Sequence, residues 1–353
     1  MKITDCRQWI DDLDETIASL PELVDFTGNT VMITGCTGLI CSALVDLLAR
    51  FNETHEEKIS ILAAGRNVDR INDRFLRFSD QSWFEIVQYD ALSADASWEK
   101  SVDYVIQGAG NAYPEKIVSE PVETILGSIT GVKVLLDKAR QGQIGRVVYI
   151  SSSEVYGRRA GNKPLGINDY GSIDLSNFRN SYPIGKSAAE MLCVSYAKEY
   201  GVDSVIVRPG HIYGPTASPG DNRVGSVWAY KAASGEPIVM KSDGSQIRSY
   251  CYTLDFTSAL VKIMRYGHKS CAYNVSNPDS VISIKQLAKL YAKAGETELA
   301  FEIPAESEKR GFNPMDNSSL NAEELLSLGW RGLFDAERGT KHTVGIIKEM
   351  NGK

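Results

Sequence analysis

Short apolar runs alternate with helical stretches along most of this chain, and few folds accept that order. The chain reads TVMIT and then GLICSALVDLLARF from Thr30, and further apolar runs follow as KISILAAG, FEIVQYD, VDYVIQGAG, RVVYISSS and SVIVRPG. Strands that are apolar on both faces are typical of parallel sheets covered by helices on each side. The alternation therefore predicts an α/β fold with a doubly wound parallel sheet.

The regular alternation ends near Pro209, and this change suggests how the chain is divided. Trp9, Leu13 and Ile17 share one helical face, and Pro21 closes that segment, so residues 1–26 are predicted to be a helical extension that serves packing. Residues 27–208 are predicted to form the sheet domain, with later returns near 248–276. Residues 209–247 and 277–353, which begin with the loop-rich GHIYGPTASPGDNRVG, are assigned to a smaller C-terminal lobe.

Composition excludes several classes of protein. The 353 residues are 43% hydrophobic with a formal net charge of −7, which is globular usage and offers no field for binding nucleic acid. The acidic N-terminal segment does not resemble a secretory signal, and no apolar run approaches the roughly 20 residues of a membrane span. The six cysteines lack the paired spacings of a zinc site. We expect a soluble cytoplasmic protein with reduced thiols and without bound metal.

A glycine loop follows the first predicted strand and opens the first helix. Gly35 permits a tight turn, Gly38 lets backbone approach a phosphate, and the helix start offers unpaired N–H groups to its charge. This context favours a dinucleotide site, although such a loop can also be plain turn chemistry. The predicted contacts from this loop are Gly35, Thr37, Gly38, Leu39 and Ile40.

The residues that follow the next strands help to identify the cofactor and its further contacts. A carboxylate after the second strand would pair with the ribose of NAD, but Arg66 stands there, which makes NADP plausible unless the guanidinium only stacks on adenine. NAD and NADP both stay open. Further contacts are predicted from Asp90, Ala91, Gly108, Ala109 and Gly110, with a turn role as the alternative for Asp90.

Tyr182 and Lys186 lie four residues apart on a predicted helix, so their side chains share a face. They follow Ser151, Ser152 and Ser153, which end the fifth strand where open sheets place their chemistry. Lowering the pKa of a phenol from about 10 to near neutrality requires about 4 kcal/mol. An ammonium about 4 Å away supplies about that much at an effective dielectric near 20. We therefore predict that Lys186 activates Tyr182 as a general base, with Ser152 hydrogen-bonding the same substrate oxygen.

These motifs together resemble the extended short-chain dehydrogenase/reductases, the NAD-dependent epimerase/dehydratase family, from about Thr30 to Trp330. The landmarks are Gly35-x2-Gly38 with Cys41 at the third glycine position, Ser151-Ser152-Ser153-Glu154-Val155-Tyr156-Gly157, Tyr182-x3-Lys186, Arg208-Pro209-Gly210-His211-Ile212-Tyr213-Gly214-Pro215 and Asp243-Gly244-Ser245-Gln246-Ile247-Arg248-Ser249-Tyr250.

The resemblance implies a Rossmann-like fold with a C-terminal substrate-binding lobe, and a homodimer that acts on a nucleotide-diphosphate sugar. It further implies hydride transfer at C4 of the sugar to a nicotinamide cofactor. The implied cofactor contacts include Ser151, Tyr182, Lys186, Pro209 and His211. The implied substrate contacts are Asn111, His211, Arg223 and Arg248.

The reaction within the family stays open between several alternatives. Dehydratases carry an Asp-Glu pair where this chain has Ser153-Glu154, so dehydration is disfavoured. Glu154 together with Arg248-Ser249-Tyr250 is similar to UDP-glucuronate decarboxylases, and a 4-epimerase needs fewer special groups. His211 and Ser128 replace two usual asparagines and, with Arg66, resemble NADPH-dependent reductases of 4-keto-6-deoxy sugars. A dinucleotide-binding protein without turnover is disfavoured by the retained serine, tyrosine and lysine.

Overall fold

The computed structural model describes residues 1–94, 97–98, 100–302 and 315–352. The strands are β1 (Thr30–Thr34), β2 (Ser60–Gly65), β3 (Phe84–Gln88), β4 (Val102–Gln107), β5 (Ile144–Ile150), β6 (Ser204–Pro209), β7 (His211–Tyr213), β8 (Ile238–Met240), β9 (Ile247–Tyr252), β10 (Ala272–Val275), β11 (Val281–Ser283) and β12 (Leu299–Phe301). The α-helices are α1 (Arg7–Ala18), α2 (Leu39–Thr54), α3 (Val68–Phe75), α4 (Pro114–Ser119), α5 (Pro121–Arg140), α6 (Ser181–Tyr200), α7 (Val224–Ser234), α8 (Thr253–Tyr266), α9 (Ile284–Gly295), α10 (Glu323–Ser327) and α11 (Ala336–Met350).

Seven parallel strands form the central sheet in the order β10-β6-β5-β4-β1-β2-β3. Val31 of β1 lies opposite Ile61 of β2 on one side and Tyr104 of β4 on the other. The strand order therefore reverses at β1, and the chain crosses to opposite faces of the sheet on either side of that point. This confirms the predicted Rossmann-like doubly wound sheet and places a crevice where β1 and β4 end.

Helices cover both faces of the sheet because its strands are apolar on both faces. Val31 and Ile33 point into one core, while Met32 between them points into the other. The second core also contains Leu135 of α5 and Ala189 of α6, two helices that pack against each other. Each strand thus contributes alternate side chains to two separate cores, as the period of a β-strand requires.

The smaller elements lie beyond the carboxyl ends of the central strands. Strands β11, β9 and β7 form one small sheet, and β12 pairs with β8. The first of these sheets carries His211 at the start of β7 and Arg248 in β9. The predicted division into an extension, a sheet domain and a lobe stays a prediction, and residues 303–314 of that lobe lie outside the described part of the chain.

The sequence interpretation did not foresee α7, α8 and α11. Helix α11 contains Thr340, Thr343 and several glycines, which have low helix propensity, and it is stabilised by burying Val344 and Ile347 in the first core. Tertiary packing thus outweighs local preference there. Across the described ranges, no helix combines the length and the apolar character that crossing a membrane requires.

The N-terminal helix α1 docks on the sheet domain and on α11. Trp9 is fully buried, and its indole N–H donates to Asp46 of α2 at 3.1 Å. Asp12 is also buried and accepts hydrogen bonds from the Tyr252 hydroxyl at 3.0 Å and from the His342 ring at 2.9 Å. The extension therefore packs against elements from both ends of the chain.

We predict that Trp9→Ala lowers the free energy of unfolding by about 3–5 kcal/mol, because the cavity adds to the lost burial of the indole. The measurement is urea unfolding followed by circular dichroism. The control is Val24→Ala, since Val24 is 52% exposed and its loss should change stability by no more than about 0.5 kcal/mol. Equal effects of the two variants would show that α1 contributes nothing to the stability of the core.

Candidate active site

One large cleft opens at the carboxyl ends of β1, β4, β5 and β6, and elements of the small sheets form its opposite wall. Its volume of about 1300 Å³ exceeds the range of about 300–1,000 Å³ that is usual for one small ligand. The apolar part of the wall includes Ile212, Trp228 and Met240. The cleft is therefore large enough for two elongated ligands side by side.

The glycine loop forms the floor of the cleft. Gly35 has a φ of +65°, and a Cβ at this position would lie 3.0 Å from backbone atoms of Ala109. The Thr34 hydroxyl accepts hydrogen bonds from the N–H groups of Gly108 and Ala109, each at 3.1 Å. Since Gly38 caps α2 without a side-chain hydrogen bond, the first-turn N–H groups of that helix remain available to a ligand.

Cys41 occupies the third position of the glycine pattern, and Gly108 makes room for it. A Cβ added at Gly108 would overlap Cys41 Sγ, so the thiol packs in the space that the lack of a side chain at Gly108 leaves. Burial raises the pKa of the Cys41 thiol to about 12. The thiol is therefore protonated and acts as a packing group rather than a nucleophile.

Tyr182, Lys186 and Ser152 meet at the end of β5. Helix α6 places the Lys186 ammonium 5.9 Å from the centre of the Tyr182 ring, and the ammonium donates to the carbonyl of Ile150 at 2.7 Å. The Ser152 hydroxyl accepts from the N–H of Glu154 at 3.1 Å, which caps the 3-10 turn Ser153–Tyr156. The three predicted catalytic side chains thus lie together on the cleft wall.

The activation of the Tyr182 phenol by Lys186 stays a prediction, because the pKa of this phenol in the protein without ligands lies above its usual value. The pKa of Tyr182 is raised to about 12, first by burial and then by the charge of Glu154, against the lowering effects of Ser152, Arg223 and Arg179. Burial likewise lowers the pKa of Lys186 to about 8. Desolvation therefore outweighs the attraction that a surface dielectric predicts, and Tyr182 is a protonated phenol before ligands bind.

Two ion pairs in the cleft were not found from the sequence. Arg179 forks onto Glu154, with one N–O distance of 3.0 Å, and the same pairing raises the pKa of Arg179. Arg223 forks onto the buried Asp221 at 2.9 and 3.0 Å, and its guanidinium lies 5.5 Å from the ring of Tyr113. Of these four residues, only Glu154 and Arg223 were predicted as site residues.

Most predicted site residues line this cleft, and five do not. Those that line it are Gly35, Gly38, Leu39, Ile40, Gly108, Gly110, Asn111, Ser151, Ser152, Ser153, Glu154, Tyr182, Lys186, Pro209, His211, Arg223 and Arg248. Those outside its lining are Thr37, Arg66, Asp90, Ala91 and Ala109. Asp90 accepts from the N–H of Leu92 at 3.0 Å as a turn residue, Ala91 is buried, and Arg66 is exposed after β2.

The cleft is cationic although the protein is acidic. Its lining contains six basic side chains, from Arg158, Arg179, Lys186, Arg223, Lys241 and Arg248, and two acidic ones, from Glu154 and Asp174. The formal net charge of the chain is −7. A concave cationic surface in an acidic protein concentrates anionic ligands at that one place. Among the described residues, no group of three or more His, Cys, Asp and Glu side chains is arranged to hold a metal ion.

Comparisons with known proteins point in one direction. The family model described as the NAD dependent epimerase/dehydratase family matches residues 31–276. The chain is 26% identical over 328 residues to a trifunctional UDP-glucose 4,6-dehydratase/UDP-4-keto-6-deoxy-D-glucose 3,5-epimerase/UDP-4-keto-L-rhamnose-reductase of Arabidopsis thaliana, with 90% of this chain and 46% of that protein covered. The chain therefore spans about half the length of that relative.

Two further similarities cover nearly the whole chain. UDP-glucuronic acid decarboxylase 1 of Xenopus tropicalis is 26% identical over 357 residues, which cover 98% of this chain and 80% of that protein. The solved structure of dTDP-glucose 4,6-dehydratase from Bacillus anthracis in complex with NAD matches with a TM-score of 0.74 at 16% identity, covering 92% of this chain and 98% of the other. The similarity to this solved structure shows that the two chains share a fold.

We predict that Gly35→Ala destabilises the protein more than Gly28→Ala. Both glycines have positive φ values, +65° and +77°, but a Cβ at Gly28 meets nothing within 4 Å. Gly28→Ala should therefore cost only the left-handed strain of about 1–2 kcal/mol. Gly35→Ala should cost about 1–3 kcal/mol more, because the new methyl group displaces the backbone at the end of β4. Urea unfolding of both variants measures the difference, and equal losses would contradict the close approach of the two strand ends.

Proposed function

The chain belongs to the NAD-dependent epimerase/dehydratase family, and we propose that it catalyses reversible hydride transfer at C4 of a nucleotide-linked sugar. Our preferred reaction is redox-neutral, either 4-epimerisation or a decarboxylation like that of UDP-glucuronate. The observation that carries the proposal is the meeting of Tyr182, Lys186 and Ser152 with the glycine loop in one cationic cleft. A nicotinamide dinucleotide bound there supplies the hydride acceptor and donor.

The residues of the cleft fit a dinucleotide. No side chain caps the start of α2, and Gly35 and Gly108 let the two strand ends approach each other closely beneath it. Unpaired N–H groups at a helix start are the usual partners of a pyrophosphate. Arg66 is exposed after β2, where an acidic residue would select NAD, so the choice between NAD and NADP stays open.

The catalytic residues move one proton at the sugar hydroxyl. Tyr182 first loses its own proton to solvent. The phenolate then accepts the proton of that hydroxyl during oxidation and returns it during reduction, while Ser152 hydrogen-bonds the same oxygen. Lys186, fixed by its bond to the Ile150 carbonyl, stabilises the negative charge that develops on the phenol oxygen. Glu154 and Arg179 lie beside Tyr182 and influence its pKa in opposite directions, so their pairing limits the change that either charge causes alone.

The opposite wall suits the nucleotide part of the substrate. Arg223 and Arg248 line it, and guanidinium groups bind diphosphate oxygens through paired hydrogen bonds. Asp221 holds Arg223 in one orientation, which lowers the entropic cost of binding an anion. Asn111 and His211 also line the cleft, within reach of the sugar in this proposal.

A net reductase is the second candidate, and the state of Tyr182 favours it. A phenol whose pKa is about 12 is protonated at neutral pH and can donate to the oxygen of a 4-keto sugar. The arginine that follows β2 also suits NADPH. In this alternative the cofactor is consumed rather than regenerated.

We further propose that two copies of the chain pair through α5 and α6. The outer face of these two helices exposes large apolar side chains, Val122 and Leu126 on α5 and Met191 and Val194 on α6. Because α5 and α6 pack side by side, a second copy could cover all four residues with the same surface.

The reaction is tested with a panel of UDP- and dTDP-linked hexoses, uronates and 4-keto-6-deoxy sugars. A redox-neutral enzyme should convert its substrate with catalytic cofactor and no lasting change in absorbance at 340 nm, whereas a reductase should consume NADPH in proportion to product. Conversion is followed by mass spectrometry. Dinucleotide binding without conversion across the panel would favour a binding protein without turnover.

We predict that Tyr182→Phe lowers kcat by at least about 10²-fold, because proton transfer loses its acceptor. The dissociation constant for the dinucleotide, measured by fluorescence titration, should change little. The matched control is Tyr196→Phe on the same helix, whose hydroxyl donates to Asp137 at 2.6 Å outside the cleft. Full activity of the Tyr182 variant would refute its role as acid and base.

A further inference from the structure

Glu190, a buried residue of α6, accepts a hydrogen bond from Ser151, the residue before the proposed catalytic Ser152. The hydroxyl of Ser151 donates to Glu190 Oε1, while the carbonyl of the preceding residue, Ile150, accepts from the Lys186 ammonium. Lys186 and Glu190 lie one turn apart on α6, and each is 7% exposed. Two side chains of one helix thus hold the last residue of β5 and the residue after it, and the next residue is Ser152.

Glu190 is itself held by a buried arginine at the end of β6. Arg208 is 2% exposed and donates to both carboxylate oxygens, at 2.9 Å from Nε and 2.6 Å from Nη2. Nη1 of Arg208 donates to the Tyr156 hydroxyl at 3.0 Å and to the Ile167 carbonyl at 2.8 Å, and Nη2 also donates to the Tyr170 hydroxyl at 2.7 Å. Tyr156 ends the 3-10 turn that begins at Ser153, so this network also fixes the turn that carries Glu154.

We propose that Glu190 is a positioning residue, which acts through Lys186 and Ser152 and does not contact the substrate. It fixes the end of β5 through Ser151 and places its carboxylate group one turn from the Lys186 ammonium. The inference rests on the proposed function, since it assigns Glu190 a part in keeping that ammonium charged inside the cleft.

The ammonium group of Lys186 is buried, and this burial affects its charge. Burial lowers the pKa of Lys186 to about 8, and Glu190 and Cys41 oppose that change. The groups facing Lys186 are Cys41 from α2, the ring of Tyr149 from β5 at 5.0 Å, and Tyr182 and Glu190 from α6 itself, with Arg208 behind Glu190. Removing the charge of Glu190 takes away an attraction to the ammonium and so lowers the pKa of Lys186 further.

The test is the pH dependence of NADH and NADPH binding by Glu190→Gln, measured by fluorescence titration between pH 6 and pH 10. As pH rises through the pKa of Lys186, the cleft loses a positive charge and the dissociation constant for the anionic dinucleotide rises. In Glu190→Gln this rise should occur at a pH lower by at least about 0.5 unit than in the wild type, since a nearby opposite charge shifts a pKa by about 1–3 units and Arg208 offsets part of that. The alkaline limit of kcat should move in the same direction.

Two variants separate positioning from a general structural effect. Glu190→Asp keeps the charge, so it should restore the pH dependence of binding while kcat stays below that of the wild type. Glu22→Gln makes the same chemical change in another buried pair, with Lys262 at 2.9 Å, and should lower stability without moving the pH dependence of binding. If Glu190→Gln does not fold because Arg208 is left unpaired, Glu190→Asp decides: it keeps the carboxylate beside Arg208 but withdraws it from Ser151, so kcat should fall while the pH dependence of binding stays that of the wild type.

An unchanged pH dependence in folded Glu190→Gln, or a wild-type kcat in folded Glu190→Asp, would overturn the inference while leaving the proposed function intact. Failure of the wild-type protein to bind either dinucleotide would instead overturn the proposed function.

Discussion

The close approach of β1 and β4 at their carboxyl ends is the constraint on which the site depends. One hydroxyl, from Thr34, accepts two backbone N–H groups of the neighbouring strand end, and glycines on both sides let the two backbones meet. The connections that leave the sheet separate at this point, because those on one side of it cross one face of the sheet and those on the other side cross the opposite face. A cleft at this edge is thus a consequence of topology, and the local sequence decides only which groups line it.

For Lys186 and Tyr182 in that cleft, the cost of removing their charged forms from water is larger than the attraction between those charges. The sequence estimate treated Lys186 and Tyr182 as neighbours in a medium with a dielectric near 20, which made the phenol easy to ionise. Burial instead raises the pKa of Tyr182 to about 12 and lowers the pKa of Lys186 to about 8, so each group moves toward its neutral form. Catalysis by this pair therefore depends on the charges that ligands and fixed neighbours bring to it.

The sequence predicted mainly those features that depend on residues close to one another along the chain. Strands β1 to β6, the glycine turn after β1 and the spacing of Tyr182 and Lys186 follow from residues close in sequence, and the structure places them as expected. Two contacts were not predictable in this way, because Glu154 and Arg179 lie 25 residues apart and Asp12 and His342 lie 330 apart. The pair of Asp221 and Arg223, only two residues apart, was missed although it is local. Nothing in a single sequence indicates which of its many charged residues will meet.

The contact between Cys41 and Gly108 shows why a glycine motif has to be interpreted together with the surface on which its helix packs. A glycine in the third position of the fingerprint serves close packing of the helix on the neighbouring strand, and that requirement concerns the pair of surfaces rather than one residue. Cys41 takes this position here, and the lack of a side chain at Gly108 leaves space for its Sγ. Glu154 is likewise one member of a pair, because its effect on the pKa of Tyr182 is opposed by that of Arg179. In the proposed function, the charges that act on Tyr182 are therefore set by pairs of residues rather than by single side chains.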